Sequence, residues 1–318
     1  MAPPDSWRPT AAPSMLRARA RLLRDIRRFF EERGVLEVET PLLSASGNPD
    51  PEIQSVETAD GALLRTSPEF ALKRLLAAGS GDVYELGRVF RGNESGRAHN
   101  PEFTLLEWYR VGFTYHELMG EVAELVRHCG HGAFDDWNVV KLSYRDWFGR
   151  TLGLDPFGAG VEELADAAKQ HGVSADSRLG RRQWLDLLTG LVLQPALPEK
   201  QLTFVFDYPT DQAALARVRQ QHTPVAERFE LYLGRVELAN GYQELTDATE
   251  QRRRFEADNE TRTRHGQDTY PIDRHMVAAL KHGLPECAGV ALGVDRLLMA
   301  LCEADGISEV IAFPFERA

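Results

Sequence analysis

The chain has 318 residues, of which 43% are hydrophobic and 27% charged, and its formal net charge at pH 7 is −11. This composition is typical of a globular protein with one large domain or two ordinary ones. The negative charge excludes wholesale wrapping of nucleic acid, because any polyanion must be met by a local cluster of arginines. No apolar run reaches the roughly 18 residues of a membrane span, and the N-terminus has no apolar signal core. The sequence therefore predicts a cytoplasmic protein without membrane contact.

The first predicted element is a helix over residues 15–33, where apolar residues follow the helical repeat. Gly34 is a typical residue at the position where a helix ends. A Pro/Ala-rich leader, residues 1–14, is predicted to be flexible, whereas 15–318 reads as one continuous domain. A strand is predicted at 35–43. Further helices are predicted at 69–79, 115–128, 161–171, 181–194 and 294–304, and further strands at 83–91, 102–110, 203–206, 229–233, 235–240, 288–292 and 309–313. Helices before and between consecutive strand pairs predict an α+β fold with an antiparallel sheet.

A polar connection, residues 92–101, separates two alternating segments, VYELGRVFR and EFTLLEWYR. It exceeds the about two to five residues usual in a hairpin, and long loops in compact domains are often functional. The donors in and beside it suit phosphate oxygens: Arg91, Arg97, His99 and Asn100. On the next strand, alternate side chains share one face: Phe103, Leu105, Glu107 and Tyr109. On spacing alone, a solvated loop beside a half-buried strand is an equal alternative.

The stretch FRGNESGRAHNPEFTLLEWYR, residues 90–110, resembles motif 2 of class II aminoacyl-tRNA synthetases. The form is that of lysyl-tRNA synthetases and of their truncated relatives, the elongation factor P (R)-β-lysine ligases. RGVLEVETPLL at 33–43 resembles motif 1, and GVALGVDRLLMAL at 289–301 resembles motif 3. Two further blocks, TSPEFALKRLLAAG and RVELANGYQELTDATEQRRRF, are similar to the same subfamily. The resemblance implies a class II catalytic fold, an antiparallel sheet flanked by helices, over nearly everything after the leader.

Activation of a carboxylic acid requires attack of its carboxylate on the α-phosphorus of ATP, with pyrophosphate leaving. Because the nucleophile is already ionised, positioning and charge stabilisation do the catalysis. The resemblance implies an ATP-binding set of Arg91, Gly92, Asn93, Glu94, His99, Asn100, Phe103, Glu237, Leu238, Gly293 and Arg296, with Arg91, Arg296, Glu237 and Glu244 as catalytic residues. The family's FRNE sequence has an additional glycine in this chain and reads FRGNE, so that Asn93 stands where the family has its adenine-contacting glutamate and Glu94 follows one place later. Either Asn93 or Glu94 is therefore expected to contact the adenine.

A metal is expected because two carboxylates aimed at a triphosphate would repel it without a cation between them. Oxygen ligands shared with phosphates suit Mg²⁺, and the resemblance puts Glu237 and Glu244 at this position. On a uniform strand, residues seven apart point to opposite faces, so the pair requires a break or bulge at Asn240-Gly241.

The resemblance implies an acyl-substrate pocket formed by Ser67, Pro68, Glu69, Tyr109, Glu244 and Ala291. Its carboxylates, with no opposing lysine expected nearby in sequence, predict a cationic, lysine-like substrate. At the position of Ala291, lysyl-tRNA synthetases have glycine, whereas the elongation factor P ligases have alanine, as this chain does. One methyl group in a tight pocket changes substrate choice by about 1 to 3 kcal/mol, which favours (R)-β-lysine over α-lysine.

The function implied by the resemblance is a two-step ligation. ATP and (R)-β-lysine form a β-lysyl adenylate, and the ε-amino group of a lysine on elongation factor P then takes the β-lysyl group. Motif 1 implies a homodimer, and its start at residue 33 leaves no room for an anticodon-binding domain, so tRNA charging is not expected. Three alternatives remain: a minimal lysyl-tRNA synthetase using α-lysine, an amide-forming synthetase using aspartate, and a regulatory paralogue without catalysis.

Overall fold

A computed structural model describes residues 7–176 and 179–318. The strands of this part are β1 (Leu36–Glu37), β2 (Leu43–Ser44), β3 (Val56–Glu57), β4 (Leu63–Leu64), β5 (Val83–Phe90), β6 (Glu102–Val111), β7 (Asn138–Ser143), β8 (Gln201–Tyr208), β9 (Val218–Arg219), β10 (Val225–Leu233), β11 (Val236–Gln243) and β12 (Cys287–Gly293). The α-helices are α1 (Pro13–Glu31), α2 (Glu69–Ala77), α3 (Tyr115–Gly130), α4 (Tyr144–Leu152), α5 (Val161–Gln170), α6 (Arg181–Leu188), α7 (Ala248–Arg264), α8 (Arg274–Gly283) and α9 (Val294–Leu301).

The larger sheet has the strand order β1-β5-β6-β12-β11-β10-β8-β7, with β9 paired to β10. Its centre, from β5 to β8 in this order, is antiparallel throughout. Only the two edges are parallel, where β1 joins β5 and β7 joins β8. A separate small sheet has the strand order β2-β4-β3. The predicted α+β class with a largely antiparallel sheet is therefore confirmed.

The alternation of β6 divides the molecule into a core side and a cavity side. Leu106 and Trp108 are fully buried and belong to the main apolar cluster with Phe30 of α1 and Leu118 of α3. Because successive strand residues point to opposite faces, the intervening side chains of β6 face the other way. That second face carries the candidate site described below.

Helix α1 begins at Pro13, slightly before the predicted start, and the chain turns at Gly34 with φ of +66°. Residues 1–6 of the predicted leader lie outside the described residues. The described part is held in place, because Ala11 is 2% exposed and the Thr10 amide donates to the Ala312 carbonyl at 2.9 Å.

The predicted strand at 309–313 is wrong. The segment forms a 3-10 turn at Ile307–Glu309, and Val310 and Ile311 pack into the main cluster as single buried side chains. The predicted strand at 35–43 is split into β1 and β2. The predicted helix at 181–194 is confirmed as a helical segment, but it is α-helical only to Leu188 and continues as a π-helix over Thr189–Leu193. Apolar content alone does not distinguish a strand from a loop that inserts side chains into a core.

Helix α7 was not predicted because its sequence is strongly polar. Its stability comes from local contacts: the Asp247 side chain accepts from the Thr249 and Glu250 amides, and Glu250 pairs with Arg253 and Arg254. Helices α4 and α8 and strand β7 were missed as well. Across the described residues, the structure contains no helix with the length and apolar content that crossing a membrane requires.

Candidate active site

A cavity of about 420 Å³ lies against the second face of the central sheet. Most of the predicted site residues line it: Ser67, Glu69, Arg91, Glu94, His99, Asn100, Phe103, Tyr109, Glu237, Leu238, Glu244, Ala291, Gly293 and Arg296. Gly92 and Asn93 do not line it, and Pro68 lines a smaller neighbouring cavity of about 260 Å³. The predicted face of β6 is confirmed, because Phe103, Leu105, Glu107 and Tyr109 all border the larger cavity.

One end of the cavity contains two arginines, Arg91 and Arg296, and an aromatic ring, and is called the cationic end after these arginines. The Arg91 guanidinium carbon lies 5.2 Å from the centroid of the Phe103 ring, and its Nη1 lies 3.5 Å from the Glu94 carboxylate. Asn93 adopts a left-handed φ of 61°, and the next residue, Glu94, borders the cavity. Gly92 anchors the loop instead, since its amide donates to the Gln54 carbonyl at 2.7 Å. Of Asn93 and Glu94, the geometry therefore favours Glu94 as the residue that contacts adenine.

Arg296, in the first turn of α9, is held by two other elements that border the cavity. Its Nη1 donates to the Glu237 carbonyl at 2.8 Å, and its Nη2 lies 2.7 Å from Nε2 of His99. Partial burial and the Arg296 guanidinium lower the pKa of His99, so the neutral ring accepts this hydrogen bond. The arginine is thereby fixed at the cationic end.

The side-chain amide of Asn100 is occupied by structural hydrogen bonds. Its Nδ2 donates to the Glu102 carbonyl at 2.6 Å, and its Oδ1 accepts from the Phe315 amide at 3.0 Å. The residue is 6% exposed and ties the loop between β5 and β6 to the C-terminal segment. Asn100 therefore positions this loop.

Gly293 lies at the junction of β12 and α9. A Cβ built there would meet only the Arg296 side chain, at an ordinary 3.6 Å. The protein's own packing therefore does not require glycine at this position, so the free space beside the backbone is available to a ligand.

Glu237 and Glu244 border the same cavity because a β-bulge changes the strand alternation between them. Leu231 pairs with Ala239 and Tyr232 pairs with Glu237, so Leu238 is the extra residue. The bulge predicted at Asn240-Gly241 is wrong in position, since both residues pair regularly with β10 and β12.

The surroundings of the two carboxylates differ. Glu244 is 1% exposed in its side chain and lies 2.7 Å from the Lys73 ammonium, whereas Glu237 is 40% exposed and 3.7 Å from Arg296. Within residues 7–176 and 179–318, no group of three or more His, Cys, Asp or Glu side chains is arranged to hold a metal ion. Lys73 already pairs with Oε2 of Glu244, so of the two predicted ligands Glu237 has the carboxylate that is more accessible to a metal ion.

The other end of the cavity is built around Glu107, whose role was not predicted. Its Oε2 accepts from the Ser67 hydroxyl at 2.5 Å and its Oε1 from the Tyr109 hydroxyl at 2.8 Å. Burial and the nearby Glu69 raise the pKa of Glu107 to about 8. Ala291 pairs with Glu107 across β12 and β6, so its methyl group lies at this end. Ser67 and Tyr109, two of the predicted substrate residues, are thus joined through the carboxyl group of Glu107.

The expectation that no lysine opposes the pocket carboxylates is wrong. Lys73 is fully buried, and its ammonium lies 2.7 Å from Glu69 and 2.7 Å from Glu244. The signal was present in the sequence, because Lys73 stands four residues after Glu69 and shares a face of α2 with it.

Two further residues of the site were missed. A Cβ at Gly289 would meet the Tyr109 ring at 2.3 Å and the Glu244 carboxylate at 2.5 Å, so only glycine fits there. Gln251 of α7 is fully buried and borders the cavity, and its side-chain amide has no hydrogen-bond partner within the described part of the chain. Neither residue has a signal that a single sequence reveals.

Comparison with known proteins agrees with this architecture. The sequence model of the class II tRNA synthetases (D, K and N) matches residues 5–317. Together with the largely antiparallel sheet, this match defines a class II synthetase domain. The elongation factor P–(R)-β-lysine ligases of Vibrio cholerae serotype O1 and Yersinia enterocolitica serotype O:8 are each 46% identical to this chain. That of Yersinia pseudotuberculosis serotype IB is 45% identical.

Each of these alignments covers 98% of this chain and 98% of the relative. The chain therefore belongs, within the class II synthetases, to the family of elongation factor P–(R)-β-lysine ligases. It is a ligase, and its domain is of the kind that joins amino acids with ATP.

Proposed function

We propose that the protein activates (R)-β-lysine with ATP and transfers the β-lysyl group to a lysine of elongation factor P. The observation that carries the proposal is that one cavity has two arginines beside an aromatic ring at one end and a cluster of carboxyl groups at the other. Arg91 and Arg296 stand at one end, and Glu69, Glu107 and Glu244 stand at the other. A triphosphate suits the first end, and the ammonium groups of a diamino acid suit the second.

In the first step, the substrate carboxylate attacks the α-phosphorus of ATP and pyrophosphate leaves. Arg91 supplies positive charge at the α-phosphate, and Arg296 does so at the outer phosphates. Phe103 stacks on the adenine ring, while Glu94 and the backbone of the loop between β5 and β6 hold the nucleotide. His99 acts through Arg296, since the hydrogen bond between them fixes the guanidinium. No general base is needed for this step.

We propose that Mg²⁺ enters with ATP, held mainly by phosphate oxygens. Among the predicted ligands, Glu237 supports this assignment because its carboxylate is accessible. The ion would neutralise part of the phosphate charge. Glu244 is assigned to the acyl end, where Lys73 pairs with it.

In the second step, a neutral ε-amino group of the acceptor protein attacks the acyl carbon and AMP leaves. The product is an amide on the acceptor. The relatives' name, elongation factor P–(R)-β-lysine ligase, supports this acceptor. A net charge of −11 favours a protein acceptor over a transfer RNA.

We propose a homodimer that uses the segment around β1 and β2. Leu36, Leu42 and Leu43 are 54%, 43% and 55% exposed, a concentration of apolar surface within one short segment. Leu43→Asp is expected to convert a dimer into a monomer by light scattering, with Val139→Asp, another exposed apolar position, as control. A monomeric wild-type protein would contradict the dimer.

ATP–pyrophosphate exchange tests the activation step with (R)-β-lysine, α-lysine and aspartate as separate substrates. We expect the order (R)-β-lysine, then α-lysine, with aspartate inactive because the acyl end carries carboxylates. Equal use of α-lysine and (R)-β-lysine would contradict the assigned selectivity. The absence of exchange with every amino acid would contradict the function.

A further inference from the structure

Lys73 lies in the interior of the acyl end, one turn after Glu69 in α2, with an exposure of 0%. Its ammonium is 2.7 Å from Oε1 of Glu69 and 2.7 Å from Oε2 of Glu244. Neither the motifs nor the relatives' names assign a role to it. A charge is retained in a protein interior only where partners compensate for lost hydration, and here both partners are predicted substrate residues.

The other titratable groups around Lys73 and its two partners come from three strands. Glu107 and Tyr109 lie on β6, Tyr242 on β11 and Cys287 on β12. Burial raises the pKa of Tyr109, Tyr242 and Cys287, so these three groups are neutral near pH 7. The charge of the acyl end is therefore set by its carboxyl groups and by Lys73.

When all three carboxyl groups are ionised, Glu69, Glu107 and Glu244 carry three negative charges, and the single ammonium of Lys73 leaves two. A diamino acid whose own carboxylate faces the nucleotide end brings two ammonium groups to this end. The two charges match. An amino acid with one ammonium group would leave one carboxylate uncompensated, which is costly for side chains as buried as those of Glu107 and Glu244.

We propose that Lys73 is a positioning residue that sets the charge of the acyl end, so that this end accepts substrates with two ammonium groups and disfavours those with one. The inference rests on the function proposed above and adds the basis of its substrate selection. Lys73 lies between Glu69 and Glu244, where its ammonium favours the ionised form of Glu244 and holds both carboxyl groups in place. Without it, burial and the nearby Glu69 would raise the pKa of Glu244 further.

The wild-type enzyme provides the first test through the pH dependence of KM. Burial raises the pKa of Glu244 to about 7 and that of Glu107 to about 8, so part of the acyl end is protonated at neutral pH. Binding of a diamino acid requires ionised carboxylates and releases protons, so its KM falls as pH rises. A substrate with one ammonium group leaves one carboxyl group protonated, so its KM falls less steeply with pH and rises once both Glu244 and Glu107 are ionised in the free enzyme, above about pH 8.

The substrates for this comparison are (R)-β-lysine, 3-aminohexanoic acid and 6-aminohexanoic acid, each followed by ATP–pyrophosphate exchange between about pH 6 and pH 8.5. We expect the KM for the diamino acid to keep falling up to about pH 8.5 and the KM for each analogue to rise above about pH 8, with kcat/KM lower by about 100-fold or more for the analogues. The same pH dependence for all three substrates would overturn the inference.

Lys73→Met tests the residue itself, because methionine has a similar length and no charge. We expect the KM for (R)-β-lysine near pH 7 to rise about tenfold or more and kcat to change less than about threefold. The decrease of KM with rising pH is expected to occur at higher pH than in the wild type, because the carboxyl groups lose a nearby positive charge. Lys281→Met, which removes an exposed lysine of α8, is the control and is expected to match the wild type.

An unchanged KM for Lys73→Met would overturn the inference. Equal losses in kcat and kcat/KM without a displaced pH profile would also overturn it, because they would make Lys73 a packing residue. Thermal unfolding shows whether the variant is folded; if it is not, the wild-type pH comparison decides. A wild-type enzyme that activates no amino acid would instead contradict the proposed function, so the two failures are distinguishable.

Discussion

Nη2 of Arg296 lies 2.7 Å from Nε2 of His99, which joins the first turn of α9 to the loop between β5 and β6. Nη1 of the same guanidinium donates to the Glu237 carbonyl on β11 at 2.8 Å. One arginine therefore links three elements of the cationic end before any ligand binds. Because the Arg296 guanidinium is already held in position, it needs no reorganisation when the transition state forms.

Arg296→Ala removes both the charge and these links. We expect kcat/KM in ATP–pyrophosphate exchange to fall by about 100-fold to 1,000-fold, since the developing charge on the phosphates loses its partner. Arg150→Ala removes an exposed arginine of α4 and is expected to be unchanged. A loss of less than about threefold for Arg296→Ala would contradict its assigned role.

Gly289→Ala and Gly293→Ala form a matched pair on β12. The added methyl at Gly289 would overlap the Tyr109 ring and the Glu244 carboxylate, whereas at Gly293 it meets only Arg296 at 3.6 Å. We expect Gly289→Ala to reduce the free energy of unfolding by about 1 to 3 kcal/mol and to raise the KM for the acyl substrate. Gly293→Ala is expected to leave stability unchanged and to raise the KM for ATP. Denaturant unfolding and exchange kinetics check both, and equal effects would contradict the assignment of the two ends.

Glu107→Gln keeps the shape of the residue that joins Ser67 and Tyr109 but removes its charge. The pKa of Glu107 is raised to about 8, so its carboxylate forms as pH rises through that value. We expect wild-type KM for the cationic substrate to fall over this range and the variant to lose that dependence, with KM raised about tenfold or more. The KM for ATP should not change. Glu162→Gln, at an exposed position of α5, is the control, and a retained pH dependence in Glu107→Gln would argue against this role.

Asp258 on α7 provides a prediction on stability. Burial and the nearby Asp50 raise its pKa to about 6, so the folded state retains a proton that the unfolded chain releases at lower pH. This difference costs stability in full above about pH 6, and the cost disappears as pH falls towards about 4. We expect Asp258→Asn to raise the free energy of unfolding by about 1 to 2 kcal/mol at about pH 7.5 and to have little effect near pH 4. A gain independent of pH would contradict this explanation.

The motifs placed most of the site because each depends on short-range geometry. The alternation of β6 brought Phe103 and Tyr109 to one face, and the turn from β12 into α9 placed Gly293 and Arg296 together. These features follow from the period of a strand and the start of a helix. The antiparallel sheet was predictable for a similar reason, since its central strands were recognisable along the chain.

The remaining features depend on contacts between distant segments. The pairing of Lys73 with Glu244 joins residues far apart in sequence, and Glu107 reads as an ordinary strand residue until Ser67 is placed beside it. The bulge at Leu238 was predicted at the wrong residues because glycine suggested a break. Gly241 is instead required by packing, since a Cβ there would meet the Phe229 ring at 2.5 Å.

The most direct test of the proposed function is the intact mass of elongation factor P after incubation with this protein, Mg-ATP and (R)-β-lysine. The account predicts a gain of one lysyl unit, faster with (R)-β-lysine than with α-lysine and absent without ATP. Arg296→Ala is the inactive control. An unmodified elongation factor P, under conditions in which ATP–pyrophosphate exchange proceeds, would contradict the assigned acceptor.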